Sequence, residues 1–477
     1  MEILPVITDI HSAEELVKAQ KAFFRTHVTL DVDWRIAQLK KLKAALSDYQ
    51  PEMEAALAAD LGRHDTEGYF CDIGTTLSEV NEIIRGLKRW ARPETHFSGV
   101  TCFPSIVTKV YKMPYGTTLI LAPYNFPFLL SLGVLAASLA GGNTAVIRAS
   151  SKSPACTALL KKMLAELYPP EYVYLAEGGH DTADLLLSRN FDKIFYTGSP
   201  KVASHVLAMA AENLTPVALE LGGENGNWCI IRADADLKDA ARKIAFFKLC
   251  NSGQICININ QIAVAEEAAD AFLAELKKAF EKQIGKNPLQ NAEYPHLISA
   301  AAYEKCSALA DAYRDRIVYG GQGDPASLRF EPTILYPVSI HEDIVQHELF
   351  SPLLPVVTYP DREIDSVMET IADREHCLAL YLFTKNLSWA KHVMSTQQYG
   401  GGCINEVCLQ LMVKNVPFNG TGHSGMGAYH GEWGFREFTH PSTVLIGSAK
   451  GNLPLREHPY SGKSNRWKKH LIRMLER

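Results

Sequence analysis

One cysteine in the sequence follows a short polar stretch: Cys256 ends the segment NSGQIC at residues 251–256. Such a stretch is typical of a loop or a helix start, where backbone N–H groups point outward. Because a helix N-terminus favours negative charge, the sequence predicts a thiol that tends towards thiolate. A thiolate beside free amides attacks carbonyl carbon atoms and stabilises the oxyanion that forms. The alternative is a buried structural cysteine, which is the commoner role of a reduced thiol.

Two further polar groups end predicted strands upstream of Cys256. Asn125 follows the apolar stretch TTLILAP at 117–123, and Glu220 ends the stretch PVALE at 216–220. A glutamate at the end of a buried strand can have a raised pKa, as a base that works near neutral pH requires. We therefore expect Asn125, Glu220 and Cys256 to line one cleft. The alternatives are a turn role for Asn125 and an ion pair for Glu220.

The composition is that of a soluble globular protein. The chain has 477 residues, of which 47% are hydrophobic and 21% are charged, and this length predicts two or three domains. A net charge of −5 without a basic patch argues against a nucleic-acid partner. Ten cysteines without CxxC or Cys/His ligand spacing predict reduced thiols rather than a disulfide or zinc framework. No secretion signal or membrane-spanning run is recognisable, so a cytoplasmic location is expected.

Apolar periodicities predict how the chain is organised. The early part is helical, with apolar stripes that begin at Ile36 and Phe70 and with Asp33 as a helix cap. From Thr117 onward strands and helices alternate, which predicts a parallel sheet that binds nucleotide cofactors at its strand carboxyl ends. A second unit of this kind begins after Gly222. The sequence thus predicts an α/β fold with two doubly wound parallel-sheet domains.

Two predicted helix starts lie near candidate residues. Residues 127–140 are predicted to form a helix with proline at its start. The strand DKIFYTG at 192–198 runs into Gly198, Ser199 and Pro200, where Ser199 suits the helix cap and Pro200 the first helical position. The free amides of such a helix start would receive phosphate oxygens. No GxGxxG motif is present, so an ordinary turn is the alternative.

The last residues, 448–477, form a predicted basic tail. Residues 450–477 hold eight Lys and Arg against two acids, and four apolar residues share one helical face. These four are Trp467, Leu471, Met474 and Leu475. A basic amphipathic helix can lie on an anionic membrane surface. The favoured alternative is a helix that packs on the protein or a solvated chain end.

Taken together, these motifs resemble the aldehyde dehydrogenase superfamily over nearly the whole chain, and its class 3 branch in particular. That branch's signature is similar to PFNGTGHSGMGAYHG at 417–431. The resemblance implies NAD(P)-dependent oxidation of an aldehyde to a carboxylic acid. Cys256 would form a thiohemiacetal and then a thioester, and the Asn125 amide and the Cys256 N–H would form the oxyanion hole. Glu220 would activate the water that hydrolyses the thioester.

The same resemblance implies a site for NAD or NADP and no metal. Four residues match the cofactor motifs of the family, and they are Gly198, Ser199, Glu348 and Phe350. Arg148 stands where the family usually has a lysine, and Ser151 stands where many NAD-preferring members have a glutamate. The Arg148 guanidinium would bind a 2′-phosphate, because no acid stands at position 151 and Lys152 is adjacent. We therefore predict that NADP is accepted.

Other departures from the family pattern do not touch the three catalytic candidates. They are Glu224 in place of a lysine, and Ser351, Asn419 and Ala203 in place of glycines. These departures bear on cofactor geometry, and they leave two rival functions open. One is a CoA-acylating dehydrogenase, which Glu220 disfavours because such relatives commonly lack the hydrolytic glutamate. The other is a non-catalytic structural protein that keeps the fold.

The strand pattern and the resemblance together predict domain boundaries. Residues 1–99 and 116–221 form the cofactor-binding domain, and 222–416 form the catalytic domain. Residues 100–115 and 417–447 form bridging or oligomerisation segments, before the basic tail. The class 3 resemblance implies a homodimer. The aromatic residues Phe126, Phe128 and Tyr429 hint at a medium-chain or aromatic aldehyde, with core positions as the alternative.

Overall fold

The computed structural model describes residues 9–99, 102, 105–447, 457–458, 460 and 466–475. The helices and strands up to residue 221 are α1 (Ile10–Phe24), α2 (Val32–Asp48), α3 (Gln50–Leu61), α4 (Asp65–Gly68), α5 (Gly74–Trp90), β1 (Glu94–Phe97), β2 (Val107–Pro114), β3 (Thr117–Leu121), α6 (Val134–Gly141), β4 (Thr144–Arg148), α7 (Pro154–Leu167), β5 (Val173–Ala176), α8 (His180–Leu187), β6 (Lys193–Gly198), α9 (Pro200–Ala211) and β7 (Val217–Leu221). From Thr117 strands and helices alternate along the chain, as the apolar runs predict.

The second half of the chain repeats this alternation with longer irregular connections. Its elements are β8 (Trp228–Ile231), α10 (Leu237–Leu249), β9 (Gln261–Ala265), α11 (Glu266–Ile284), α12 (Ala300–Ala312), β10 (Ile317–Tyr319), β11 (Gly323–Asp324), β12 (Arg329–Phe330), β13 (Thr333–Val338), β14 (Leu353–Tyr359), α13 (Ile364–Ala372), β15 (Ala379–Phe383), α14 (Leu387–Thr396), β16 (Gly401–Ile404), β17 (Phe418–Asn419), β18 (Gly425–Met426), β19 (Ala428–Tyr429), α15 (Gly431–Glu437), β20 (Thr439–Ile446) and α16 (Arg466–Leu475).

Two large sheets dominate the structure. The first has the strand order β18-β7-β6-β3-β4-β5 and is parallel except for β18. The second has the order β10-β13-β14-β9-β8-β15-β16 and is parallel except for β10. Their central strands are buried and rich in Val, Ile and Leu, as parallel strands covered on both faces must be. The predicted α/β fold with two doubly wound sheets is confirmed.

A third, antiparallel sheet of order β1-β2-β20 stands apart from the two large ones. Strand β20 pairs with β2 over its whole length, from Val107 opposite Ile446 to Pro114 opposite Thr439. Strand β1 adds residues 94–97 to this sheet, and β18 adds residues 425–426 to the first large sheet. The segments that the sequence assigns to bridging thus contribute to three different sheets, since β17 and β19 also pair with each other. The domain boundaries themselves stay a prediction.

The first helices agree with their apolar stripes, with two exceptions. The residues of the first stripe are buried, but the cap of α2 is Asp31 rather than Asp33, because the Asp31 side chain accepts the Trp34 N–H at 2.9 Å. In the second stripe, Phe70 is 38% exposed. It lies on a π-helical turn at Tyr69–Ile73, whose wider pitch changes the direction of the side chains ahead of α5.

The helix predicted at 127–140 also starts differently. A π-helical turn occupies Leu129–Gly133 and leads into α6, so the helix begins two residues late and with the wrong pitch for a simple α-helix. A carboxylate from another segment fixes this start, because Asp72 Oδ1 accepts the Leu129 N–H at 2.5 Å. By contrast, Ser199 occupies the N-cap position of α9 and Pro200 its first helical position, as predicted.

The basic tail is described only in part. Residues 466–475 form α16, on which Trp467 and Met474 are exposed, whereas Lys468 is buried, lies over the Tyr460 ring and donates to the Glu457 carbonyl. Most of residues 448–465 and residues 476–477 lie outside the described residues. Within the described part of the chain, no helix has the length and apolar character that a membrane span requires.

Candidate active site

The candidate residues lie where the two large sheets meet. Pairing of Leu121 with Arg148 and of Thr197 with Glu220 places the carboxyl ends of β3, β4, β6 and β7 at one edge of the first sheet. In the second sheet the amino ends of β8, β9 and β14 lie at one edge. Cys256 comes just before β9, and Glu348 comes just before β14. We call the meeting of these two edges the seam.

Cys256 lies in a turn between a short 3₁₀ turn at Cys250–Gly253 and β9. No helix starts at this position, so the expected stabilisation of a thiolate by a helix N-terminus is absent. Burial, followed by the negative charges of Glu348 and Glu220, raises the pKa of the Cys256 thiol to about 12. The N–H groups of Ile257 and Cys256 itself oppose this rise. The predicted tendency towards thiolate is therefore wrong for the protein by itself.

Asn125 lies on the bend that follows β3, directly beside the loop that carries Cys256. Its Nδ2 donates to the Gln254 carbonyl at 3.2 Å, and its own carbonyl accepts from Asn251 Nδ2 at 3.2 Å. An amide nitrogen has two N–H groups, so one N–H of Asn125 is left for a substrate oxygen. The structure thus brings the predicted oxyanion donor against the NSGQIC segment.

Glu220 lies in β7 and is buried, with 4% of its surface exposed. Its Oε2 has no hydrogen-bond partner in the protein. Burial, with the charge of Glu437 in addition, raises the pKa of Glu220 well above its usual value. Its charge in turn raises the pKa values of the Cys256 thiol and the Tyr429 hydroxyl. An unpaired carboxyl group therefore lies close enough to the thiol to influence its ionisation.

Glu348 crosses the seam from the second sheet to the first. A Cβ added at Gly222 would lie 2.0 Å from Glu348 Oε1, so a larger residue there would displace this carboxyl group. The Glu348 N–H donates to the Glu224 carbonyl at 3.0 Å, which holds the two segments together. Burial raises the pKa of Glu348 to about 8, although Lys305 opposes this rise. Two buried carboxyl groups thus flank the nucleophile.

The other predicted cofactor residues lie around the first sheet. Arg148 ends β4, and its Nε is buried without a hydrogen-bond partner. Ser151 and Ser199 are exposed, and the Ser199 side chain makes no cap hydrogen bond, which leaves the start of α9 open. A buried unpaired cation and an open helix start are groups that phosphate oxygens bind. These residues fit a dinucleotide.

Phe350 has a left-handed backbone, with φ of +50°. Its ring packs edge-on against the Tyr124 ring, with 6.2 Å between the ring centres. Lys152 Nζ also contacts Tyr124 and lies 5.4 Å from the centre of its ring. A left-handed conformation is unfavourable for a bulky residue and is tolerated where the surroundings determine it. Phe350 therefore helps to hold the loop before β14 against the segment that carries Asn125.

Sequence reasoning missed several groups that shape the site. Asn227 donates from Nδ2 to the Cys256 carbonyl at 2.7 Å and to the Asn258 carbonyl at 2.9 Å, and its Oδ1 accepts the Ala379 N–H at 2.7 Å. One side chain thus holds the turn of the nucleophile against β15. The available signal was a polar residue at the start of the otherwise apolar stretch NWCII at 227–231.

The aromatic hint about the substrate finds no support. Phe126, Phe128 and Tyr429 are buried in the core. A cavity of about 680 Å³ lies instead beside the π-helical turn at Tyr69–Ile73. The residues that line it include Tyr69, Phe70, Leu411, Met412 and His430.

The departures at the periphery have ordinary structural roles. Glu224 pairs with His423, with 2.6 Å between Oε2 and Nδ1, and both side chains are exposed. Ala203 is buried in α9. Among the described residues, no group of three or more His, Cys, Asp or Glu side chains forms a set that could hold a metal ion.

Residues 8–444 match the profile described as "Aldehyde dehydrogenase family". The chain belongs to the aldehyde dehydrogenase family. Aldehyde dehydrogenase family 3 member H1 of Arabidopsis thaliana is 35% identical over 463 residues, which cover 96% of this chain and 95% of that protein. The 4,4'-diaponeurosporen-aldehyde dehydrogenase of Staphylococcus aureus is 36% identical over 445 residues, 93% and 95% of the two chains.

A solved structure titled "Substrate bound state of Staphylococcus Aureus AldH" has a TM-score of 0.91 and 34% identity, and the likeness covers 99% of this chain and 100% of that one. The resemblance to the class 3 branch is confirmed. The protein is an NAD(P)-dependent aldehyde dehydrogenase, and it uses NAD or NADP to oxidise an aldehyde to a carboxylic acid.

The raised pKa of Cys256 predicts how its reactivity depends on pH. Only the thiolate reacts with iodoacetamide, so in the cofactor-free dehydrogenase the alkylation rate should rise about tenfold for each pH unit between pH 7 and pH 10. Mass spectrometry of the peptide that contains Cys256 measures this rate. A small thiol of ordinary pKa, about 8.5, serves as the control and should level off above pH 9. A plateau for Cys256 below pH 9 would contradict the burial argument.

Proposed function

We propose that Cys256, Asn125 and Glu220 carry out the aldehyde oxidation at the seam. The observation that carries this assignment is the buried carboxyl group of Glu220, which has an unpaired oxygen and acts on the ionisation of Cys256. A buried, unpaired carboxyl group is destabilising, so a position that retains one is a candidate for chemistry. Asn125 is the amide that is hydrogen-bonded to the loop of the same thiol.

In the first step, the Cys256 sulfur attacks the aldehyde carbon and the thiol proton leaves. The raised pKa of Glu220 makes its carboxylate an effective acceptor for that proton near neutral pH. The free N–H of Asn125 and the N–H of Cys256 stabilise the oxyanion of the thiohemiacetal. When bound, NAD(P)⁺ supplies the acceptor for the hydride that leaves the thiohemiacetal carbon, so that a thioester remains on Cys256.

Before the second step, Glu220 releases to the solvent the proton that it took from the thiol. Water then attacks the thioester carbon and gives up a proton to Glu220, which passes it to the Cys256 sulfur when the carbon–sulfur bond breaks. The tetrahedral oxyanion is stabilised by the same two N–H groups, and its collapse releases the carboxylic acid and restores the thiol. The residues that would hold the cofactor are Arg148, Ser151, Gly198, Ser199, Glu348 and Phe350. Glu348 suits the role of a ribose acceptor, because its carboxyl oxygens lie next to Gly222 at the seam and can accept hydrogen bonds.

The two rival functions are less well supported. A CoA-acylating enzyme has no need of a base for water, yet Glu220 lies beside the thiol. A non-catalytic protein has no need to keep an unpaired oxygen on a buried carboxyl group and an unpaired Nε on a partly buried guanidinium. An acyl-CoA reduction assay separates the first rival, and the absence of NAD(P)H formation with a panel of aldehydes would favour the second.

The role of Glu220 is tested by Glu220→Gln, which keeps the shape of the side chain but cannot accept a proton. We expect kcat to fall by about 10²- to 10⁴-fold, the usual contribution of a general base. Steady-state NAD(P)H formation measures this. Glu224→Gln is the matched control, because Glu224 lies four residues away on the surface and should keep kcat within about twofold. If Glu220→Gln retained wild-type kcat, the assignment would be lost.

We propose further that NADP is accepted and preferred. The support is Arg148, whose guanidinium is partly buried and has an unpartnered Nε, so that burial lowers its pKa. A phosphate would form hydrogen bonds with this cation. Position 151 is a serine, so no carboxylate stands there to repel the phosphate. Lys152 adds a second positive charge beside the same turn.

The cofactor preference is tested by Ser151→Glu. A carboxylate there should repel the 2′-phosphate and accept hydrogen bonds from a 2′-hydroxyl, so the ratio of kcat/KM for NADP to that for NAD should fall roughly tenfold or more. Ser151→Gln has a side chain of the same size without the charge and should change the ratio far less. A wild-type enzyme with a strong preference for NAD would reject the proposal at once.

We propose that the enzyme is a homodimer, with the β1-β2-β20 sheet in the interface. Both faces of β20 are exposed, although an antiparallel sheet usually packs one face against a core. The apolar side chains left open on this sheet and its adjoining loop are Phe97 (71% exposed), Ile106 (47%), Val444 (44%), Leu445 (48%) and Ile446 (46%). Exposed apolar side chains gathered at one end of a sheet mark an interaction site, and the class 3 resemblance indicates a second copy as its occupant.

The dimer is tested by Leu445→Glu, which places a charge in the middle of this surface. We expect the wild type to sediment at twice the chain mass of 52.8 kDa and the variant at the mass of one chain. Sedimentation velocity measures the change. Leu214→Glu is the matched control, because Leu214 is 89% exposed on a loop after α9 and should leave the mass unchanged. A monomeric wild type would exclude the proposal.

We propose the cytoplasm as the location, because all ten cysteines are free thiols, which a reducing compartment preserves. Subcellular fractionation tests this. Peripheral membrane contact through α16 stays the less favoured alternative, since Lys468 already packs on Tyr460.

A further inference from the structure

A buried arginine joins the two segments to which the catalytic roles are assigned. Arg63 follows α3 after the left-handed Gly62, and its side chain is completely buried. Its Nη2 donates to the Asn125 carbonyl, and its Nε donates to Asn251 Oδ1 at 3.0 Å. Its guanidinium carbon lies 4.5 Å from the centre of the Phe126 ring. The Arg63 side chain thus contacts Asn125, Phe126 and Asn251, the residue at the start of the loop that carries Cys256.

Asn251 completes the connection between these segments. Its Nδ2 donates to the Asn125 carbonyl at 3.2 Å and to the Gln254 carbonyl at 2.9 Å, and its N–H donates to Glu67 Oε1 at 2.7 Å. The Gln254 carbonyl is the same oxygen that receives the Asn125 amide. The position of the Asn125 side chain therefore depends on where Asn251 and Arg63 hold the loop.

The loop needs such support because its backbone is strained. Asn251 and Ser252 have φ values of +50° and +52°, in the left-handed region that side chains other than glycine avoid. Residues of this kind are destabilising unless their surroundings hold them in place. Gly253 is pinned from the other side, because a Cβ there would lie 2.2 Å from the Ser351 carbonyl oxygen. Arg63 donates to the side chain of Asn251, the first of the two residues with a left-handed backbone.

Two acids keep the buried guanidinium in place. Asp72 Oδ2 lies 3.5 Å from Nη1, and Glu67 Oε1 lies 3.7 Å from Nε. Asp72 Oδ1 also accepts the Leu129 N–H, so the guanidinium is tied to the π-helical turn ahead of α6. A lysine at this position would supply one point charge in place of a planar fork, so it would not reach Asn125, Asn251 and Asp72 together while stacking on Phe126.

We propose that Arg63 is a positioning residue for aldehyde oxidation, which holds the Asn125 amide and the Cys256 loop in one fixed relation. This inference rests on the proposed roles of Asn125 and Cys256. A displacement of about 1 Å between reacting groups lowers a rate by about 10²-fold, so a residue that touches neither substrate nor cofactor can control kcat. Its effect should be on kcat rather than on the KM for the cofactor, because Arg63 contacts none of the cofactor residues.

The first test compares Arg63→Lys with Arg35→Lys. Arg35 is also a buried arginine, and it donates to the carbonyls of Thr29, Leu30 and Ala140 away from the seam. Both variants lose a buried fork, so both should melt at lower temperature than the wild type. Only Arg63→Lys should lower kcat, by about 10- to 100-fold, with the cofactor KM changed less than about threefold. Equal kcat values for the two variants, per folded site, would overturn the proposal.

The second test is a cycle of Arg63→Lys with Asn125→Ala. If Arg63 acts through Asn125, the double variant should lose little more kcat than Asn125→Ala does by itself. Fully additive losses would overturn the proposal. Should Arg63→Lys fail to fold, Asn251→Ala takes its place in the same cycle with the same two outcomes, because it removes the side chain through which Arg63 contacts the nucleophile loop. A wild-type kcat for Asn125→Ala would instead refute the oxyanion assignment, whereas a low one with unchanged Arg63→Lys refutes only the positioning role.

Discussion

The structure depends on how ionisable groups are buried at the seam between its two large sheets. Cys256, Glu220 and Glu348 lie there together, and burial raises the pKa of each. Charged forms of all three would repel one another in a medium that screens poorly, so the protein by itself favours their neutral forms. The proposed chemistry follows from this constraint, because a carboxylate whose pKa is raised is a strong base, and Glu220 in its ionised form takes the thiol proton without a stable ion pair being formed.

Such a seam needs backbone precision, and the structure supplies it through close contacts that leave no room for adjustment. Gly222 and Gly253 are sites where a methyl group would collide with Glu348 or with the Ser351 carbonyl. Asn227 ties the Cys256 turn to β15, and Asn251 ties it to the bend of Asn125. Hydrogen bonds from amide side chains are well suited to this task, because each amide donates and accepts in fixed directions without adding charge to an already acidic region.

The sequence predicted what local chemistry determines, and it missed what contacts over long distances determine. Runs of branched apolar residues predict strands such as β3 and β9. Capping preferences alone predict the start of α9 at Ser199 and Pro200. The pitch of the turn before α6 depends on Asp72, which is 57 residues away. The role of Arg63 depends on Asn251, which is 188 residues away. Of the loop and the helix start that the sequence allows at Cys256, the structure has the loop, since the polar stretch before it forms a strained turn held by other segments.

The departures from the family pattern can also be divided by whether the side chain lies near solvent or is buried at the seam. Those at positions 148, 151 and 224 lie where side chains still meet solvent or a neighbouring turn, and Glu224 has simply acquired His423 as a partner. A substitution there changes one interaction, because a surface side chain can turn towards water or towards a new partner. At the seam a change of charge would leave a buried group unpaired and would alter the ionisation of its neighbours as well. The periphery is therefore where cofactor preference can change without disturbing the groups to which we assign the chemistry.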